Sequence, residues 1–369
     1  MKVLILSCST GGGHNSAAIA ICEKFKELKV ECLMIDSIEL TSKSFSKKVN
    51  QFYIDVVNNV PNLFKKAYHM AELYGKLKIK SPVYGVNVLF AKNLREFIEV
   101  NDFDVIIATH LYPAETLTTI KKKKPNMHFI VVATDYVSIP FWQETNPDYF
   151  IIPSKKLKQE FVEKGINSKK ILSFGIPVSP KFNNHFTKVN ACRQLSLPCN
   201  KKIVLIMSGS MGFGNIEEII DRILNDYRDN IHIVAITGNN EIYKNKLQKL
   251  YPNKNITIVG FTNDVNIYMD ACDVILTKPG GLTSTETAVK NVPTIFTNPI
   301  PGCENYNASF LQEYRMAFSS DSIDDLMKYL SILLENKKTI NLFKKNQSKY
   351  INKNAVDDIC KFIIKGYNH

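Results

Sequence analysis

Short, continuous apolar runs alternate with segments of helical spacing along the whole chain. In the first half the runs are 2–8, 31–36, 104–110, 128–134, 148–154 and 170–175. They are rich in Val and Ile with little polar alternation, which predicts strands buried on both faces of a parallel sheet. Segments 15–28 and 155–164 carry helical spacing, and 36–99 holds no strong strand pattern, so it reads as a helical excursion from the sheet. A polar stretch around Pro177, Pro180 and Pro198 has the composition of a linker. The strand pattern then restarts at 202–208, 230–238, 256–261, 273–278, 292–298 and 316–319, with helices over 322–335 and from Ala355 onward. Two α/β units follow, each opening strand–glycine loop–helix, with a ligand expected where strand carboxyl ends face a central cleft. The expected boundaries are 1–180, a linker over 181–200, and 201–352, with a helix at 353–369 able to pack back on the first unit.

A length of 369 residues exceeds what one hydrophobic core usually fills, which agrees with two domains. At 45% hydrophobic and 22% charged the composition is that of a globular protein, and no apolar stretch reaches the ~18 residues of a membrane span. Residues 1–6 are too short for a signal-peptide core, so a cytoplasmic protein is expected. Eight cysteines show no C-x-x-C pair and read as reduced structural thiols, with no zinc site and no tightly bound metal expected.

The net charge of +12 adds a hint. Between Thr41 and Val100 ten Lys/Arg, including Lys65 and Lys66, face four Asp/Glu and are interleaved with aromatics such as Phe64 and Tyr68. That mixture suits an anionic membrane surface or nucleic acid. A solvated helical face accounts for it equally well.

Three glycine turns carry the candidate chemistry. The first is STGGGHNSAA, where Gly12 and Gly13 precede a histidine, His14, at the start of a helix. The second, 208–214, contains Gly212 and Gly214 after a strand and before a helix, where backbone N–H groups can take a phosphate oxygen. The third is ILTKPGGLTSTETA. Here Gly280 and Gly281 would let a diphosphate approach, Lys278 would offset its charge, and Glu286 lies where a carboxylate could accept from a ribose diol. Thr283-x-x-Glu286 is also a capping box, which by itself would explain both residues and a helix starting near Thr283. The next strand ends in a Pro/Gly loop, NPIPGCENYN, whose Glu304, Asn305 and Asn307 could meet sugar hydroxyls.

TKPGGLTSTE with NPIPGCENYN resembles the donor-binding half of UDP-sugar glycosyltransferases of the GT-B fold. STGGGHNSAA and VATDYVSIPFW resemble the subgroup of monogalactosyldiacylglycerol synthases and bacterial processive diacylglycerol glucosyltransferases, as does GIPVSP at 175–180. The resemblance implies an inverting enzyme that moves a hexose from a UDP-sugar to diacylglycerol or a glycosyl-diacylglycerol. It would act as a peripheral protein on the inner face of the cell membrane, with no nucleic-acid partner. Carried across, Glu286 would hold the ribose, Gly280 and Gly281 the diphosphate, and Glu304 and Asn305 the sugar. Gly212 and Gly214 would face the phosphates. His14 suits the general base, Asp135 is its rival or its orienter, and Trp142 could pack on lipid or sugar or serve as a buried anchor. Two departures stand out: 137–141 holds no histidine, and Cys303 replaces the usual glutamine of PGQE, so glucose, galactose and N-acetylglucosamine all remain open.

Other classes fit less well. A dinucleotide fingerprint is imitated by Gly11-x-Gly13-x-x-Ser16 with Asp36, but serine holds the third glycine position and an imidazole crowds the pyrophosphate path. No G-K-[ST] follows any glycine loop, which excludes a Walker-type kinase. Asp102-Phe103-Asp104 precedes a strand and reads as a turn rather than a metal–nucleotide site. The alternatives retained are an N-acetylglucosaminyltransferase acting on a polyprenyl-diphosphate cell-wall precursor and a non-catalytic UDP-sugar-binding membrane protein.

Overall fold

The computed structural model describes residues 1–8, 12–37, 39, 61–75, 80, 81, 84, 85, 91–207, 216–252 and 255–367, the side chains of 61–64 excepted. The chain forms two compact units, Met1–Pro180 with Pro301–Cys303 and Asn352–His369, and Lys181–Ile300 with Glu304–Ile351.

In the first unit the strands are β1 (Lys2–Ser7), β2 (Glu31–Asp36), β3 (Val105–Ala108), β4 (Phe129–Val132), β5 (Tyr149–Ile151) and β6 (Ile171–Leu172). They form one sheet in the order β2-β1-β3-β4-β5-β6, parallel throughout. Val3–Leu6 and β3–β4 are almost fully buried, as continuous apolar strands require. β2 departs from that expectation: it lies at the sheet edge and leaves Leu33 39% exposed. The helices here are α1 (Gly12–Glu27), α2 (Pro61–Gly75), α3 (Ala91–Asn101), α4 (Leu111–Lys121) and α5 (Lys158–Glu163), the last preceded by a 3-10 turn over Lys155–Leu157.

The second unit repeats the plan. Strands β7 (Lys202–Met207), β8 (Ile231–Ile236), β9 (Ile256–Val259), β10 (Val274–Thr277), β11 (Thr294–Phe296) and β12 (Ala317–Ser319) pair in the order β12-β11-β10-β7-β8-β9, again all parallel. Its helices are α6 (Lys188–Gln194), α7 (Ile216–Tyr227), α8 (Glu241–Leu250), α9 (Val265–Ala271), α10 (Gly281–Val289), α11 (Cys303–Glu313), α12 (Ile323–Glu335) and α13 (Lys337–Tyr350). The stretch read from its composition as a linker, 181–200, is packed into this unit. The buried Lys290 ammonium donates to Asp270 at 2.6 Å and to the carbonyl of Asn184 at 2.6 Å, and α6 buries Ala191 and Cys192.

The chain then returns to the first unit as α14 (Ala355–Tyr367), which buries Val356, Ile359, Cys360 and Ile363 against Val3, Ile5, Ile21 and Phe25. Gly175 lies at this return with φ of +104°, and a Cβ there would come within 3.1 Å of Ala355.

In each sheet the strand order reverses once, between β1 and β3 in the first and between β7 and β10 in the second. Helices leave such a pair of neighbours on opposite faces, which opens a crevice beyond their carboxyl ends. Of the sequence-predicted site residues, His14 follows β1, Asp135 follows β4, Lys278–Glu286 follow β10, and Glu304 and Asn305 follow β11.

Candidate active site

β1 ends at Ser7, and α1 starts at Gly12, three residues earlier than helical spacing suggested. Gly12, Gly13 and His14 therefore form the first helical turn itself. The Ser7 hydroxyl donates to Asn15 Oδ1 at 2.5 Å and ties this turn to the strand. His14 Nδ1 lies 3.0 Å from the carbonyl oxygen of Thr109 and 2.8 Å from Thr134 Oγ1. A carbonyl can only accept, so the proton belongs on Nδ1 and the lone pair on Nε2. That is the tautomer a general base needs. Burial lowers the imidazole's pKa, while the Asp135 carboxylate and the Thr109 carbonyl pull it back up. The positive end of α1 adds to the preference for a neutral ring.

Sequence reasoning missed the residue beside it. His110, the N-cap of α4, packs its ring against that of His14 edge-on, with centroids 4.5 Å apart. Its Nδ1 accepts from the Tyr112 backbone N–H at 3.2 Å, which places its proton on Nε2. Burial first, and the nearby His14 second, push its pKa well below the ordinary value, so this imidazole stays neutral. The signal was present: His110 ends the third apolar run, and β1 and β3 are neighbours across the switch point. Segment 137–141 lacks a histidine, and this fold brings one to His14 from β3 instead.

In the second unit β10 ends at Thr277 and Lys278 follows, only 9% exposed. Burial lowers its pKa to about 8, and the Glu304 carboxylate works against that shift. Helix α10 begins at Gly281 with Gly280 as its N-cap, and no side chain caps it. The capping box suggested by Thr283 and Glu286 does not form, because the helix starts two residues before Thr283. The N-cap residue thus offers no side chain to the first-turn N–H groups, an arrangement that favours an anion. One turn further in, burial raises the Glu286 carboxyl to about 8, with Lys181 pulling weakly the other way.

Glu304 lies on the first turn of α11 rather than on a loop. Its Oε2 accepts from the Ile300 N–H at 2.6 Å, and Oε1 lies 3.8 Å from where a Cβ on Gly280 would stand. The structure thus brings Lys278, Gly280, Gly281 and Glu304 together. Asn305 is exposed on the same turn, whereas Asn307 is fully buried.

Other candidates fall elsewhere. Trp142 is 3% exposed and edge-on to Phe150, so it is a core anchor, closed to lipid and sugar. Lys65 and Lys66 are exposed on α2, and Tyr68 is half-buried there. Gly212 and Gly214, and the side chain of Phe64, lie outside the described residues. Asp102 takes φ of +50° and Asp104 accepts from the Lys2 N–H at 2.6 Å, as a turn at the amino ends of the strands does. Among the described residues no group of three or more His, Cys, Asp or Glu side chains is arranged to hold a metal ion, and no helix is long and apolar enough to cross a membrane.

Residues 14–178 match the monogalactosyldiacylglycerol (MGDG) synthase family, and residues 203–361 match the glycosyltransferase family 28 C-terminal domain. The chain is a UDP-sugar glycosyltransferase, its first part similar to MGDG synthases and its second to family 28 C-terminal domains. This glycosyltransferase is 26% identical over 371 residues to a processive diacylglycerol beta-glucosyltransferase of Bacillus pumilus (strain SAFR-032), covering 99% of this chain and 94% of that one. A protein of the same name from Staphylococcus saprophyticus is 29% identical over 322 residues, 85% of this chain and 79% of its own. Among solved structures, the glycosyltransferase shares its fold with a UDP-bound MnaA of S. aureus, at a TM-score of 0.65 and 12% identity covering 100% of this chain and 97% of that one. MurG of Acinetobacter baumannii matches at 0.61 and 13%, covering 98% and 99%. The GT-B expectation of two Rossmann-like units with parallel sheets is borne out.

Proposed function

We propose that this glycosyltransferase moves glucose from UDP-glucose to the hydroxyl of diacylglycerol at a membrane surface, with inversion at the anomeric carbon. The observation that carries the chemistry is the His14 tautomer: Nδ1–H held by the Thr109 carbonyl leaves Nε2 as a base for the acceptor hydroxyl. Asp135 supports the imidazolium that forms when His14 takes the proton. In the second unit the uncapped start of α10, with Gly280, Gly281 and Lys278, stabilises the diphosphate as it leaves, by backbone dipoles and one buried cation. Glu286 accepts from the ribose, and Glu304, with one oxygen held by Ile300, presents the other to the sugar. The relatives named as diacylglycerol beta-glucosyltransferases support both donor and acceptor.

The membrane contact is assigned to α2. Lys65, Lys66 and His69 are exposed beside Met70 and Leu73, which are 68% and 50% open. Cations flanking open apolar side chains suit an anionic bilayer, on which a diacylglycerol acceptor resides.

The deciding experiment presents purified protein with anionic vesicles containing diacylglycerol and a panel of UDP-sugars, reading UDP release and lipid mass. A hexosyl-diacylglycerol from UDP-glucose is expected. UDP binding without a product from any donor would overturn the acceptor assignment.

A further inference from the structure

Three thiols gather along α1, about two helical turns beyond His14. Cys22 stands on α1, Cys32 on the edge strand β2, and Cys360 on α14. Two of them touch: Cys22 Sγ and Cys32 Sγ are 2.9 Å apart, nearer than unbonded sulfurs ordinarily rest yet well outside a disulfide's ~2.05 Å. The contact is built into the fold. Only the connection Leu28–Val30 separates α1 from β2, and the Leu28, Lys29 and Val30 amides are pinned to the carbonyls of Lys24, Lys26 and Phe25. β2 is held in register on β1, with Cys32 opposite Val3. Both thiols are half-buried, as the edge position of β2 implies, whereas Cys360 is fully buried and directs its Sγ to the Ile21 carbonyl.

We propose that Cys22 and Cys32 are a site of reversible oxidation, closed to an intrachain disulfide by a low-molecular-weight disulfide.

Cys22 is the attacking sulfur. The hydrogen bond from Cys32 lowers its pKa, outweighing burial and the Glu23 charge. Its partner is pushed the other way by the same contact and by burial, so Cys32 resolves rather than attacks. In the first step the Cys22 thiolate bonds to one sulfur of the small disulfide and expels the other half as a thiolate. Cys32 then loses its proton to solvent, attacks Cys22 Sγ and expels the second half. Two protein thiols become one disulfide, and one small disulfide becomes two small thiols. The new bond ties the helix whose first turn holds His14 to the neighbouring strand.

The test oxidises the full chain with glutathione disulfide and reads intact mass and disulfide-linked peptides. The expected product is two hydrogens lighter than the reduced chain, with Cys22 and Cys32 in one linked pair, and dithiothreitol reverses it. Cys32→Ser should stop at a stable glutathione adduct on Cys22. Cys360→Ser should form the Cys22–Cys32 link as the parent does. A parent protein whose Cys22 and Cys32 both remain alkylatable, or which stops at the adduct, overturns the proposal. The readout needs no transferase activity and is independent of the proposed substrates.

Discussion

The Nδ1 atom of His14 and the carbonyl oxygen of Thr109 are 3.0 Å apart, joining the first turn of α1 to the end of β3. One hydrogen bond thereby fixes the ring and its tautomer together. Removing the ring should remove the base and leave the donor site intact. His14→Ala is expected to lower turnover by ~10²–10⁴-fold while UDP affinity, measured by calorimetry, is unchanged. A fall in UDP affinity of similar size would show that His14 serves the donor instead.

The pH profile should report the same imidazole. Only neutral His14 can accept a proton, so kcat/KM falls as the pH drops through its pKa, which burial has lowered below that of a free imidazole. Asp135 opposes that lowering. Asp135→Asn should therefore carry the acid limb to still lower pH while also reducing turnover, since the imidazolium loses its counter-charge. A limb that moves upward would contradict the assigned geometry.

Stability should carry the mark of both half-buried imidazoles. In the unfolded chain each titrates near ~6.5, and in the folded chain each resists protonation. Above that pH neither state binds the proton and the pair contributes nothing to the slope. Below it the unfolded chain binds protons that the folded chain refuses, so stability falls on acidification. His110→Asn, whose amide oxygen can still cap α4, should reduce the loss of Tm between pH 7.5 and 5.5 and leave the protein folded.

Much of this was legible beforehand. The strands described lie inside the apolar runs read from the sequence; the inner ones do so because a strand buried on both faces has no polar position to hide it, whereas the edge strands β2 and β9 are apolar but only part-buried. Helix starts were harder. Thr283-x-x-Glu286 imitates a capping box, yet the chain turns into α10 at Gly281 directly after β10. Glu304 and Asn305 looked like loop residues among prolines and glycine, but α11 begins at Cys303, so both lie on its first turn. His110 escaped notice for another reason: its partner is 96 positions away, and only the pairing of β1 with β3 makes them neighbours.

Glu286 should couple UDP binding to a proton. Its carboxyl is raised to about 8 by burial, so it is mostly protonated near neutral pH. Accepting hydrogen bonds from a ribose diol favours the ionised form, and binding then releases the proton. UDP affinity is expected to rise with pH up to about 8, by at most about tenfold per unit. Calorimetry in buffers of different ionisation enthalpy measures the released proton directly, and Glu286→Gln should abolish both the release and the slope.

Lys278 titrates near 8 for the same physical reason with opposite sign, since burial disfavours its charge. A bound diphosphate restores it. Lys278→Met should weaken UDP binding by roughly 10–100-fold, the scale of one hydrogen bond to a charged group. Isothermal titration of the variant checks this, and an unchanged affinity would place the phosphates elsewhere.

The helix α14 has a consequence for how the protein is made. Its Val356, Ile359, Cys360 and Ile363 complete a core that β1 and α1 begin at the other end of the sequence. Every residue of the second unit is synthesised between the two halves of that core. The second unit can therefore close while its neighbour is still unfinished on the ribosome, reversing the usual order in which domains mature from the N-terminus. Until residue 363 has emerged, the core that β1 and α1 begin lacks the helix that completes it.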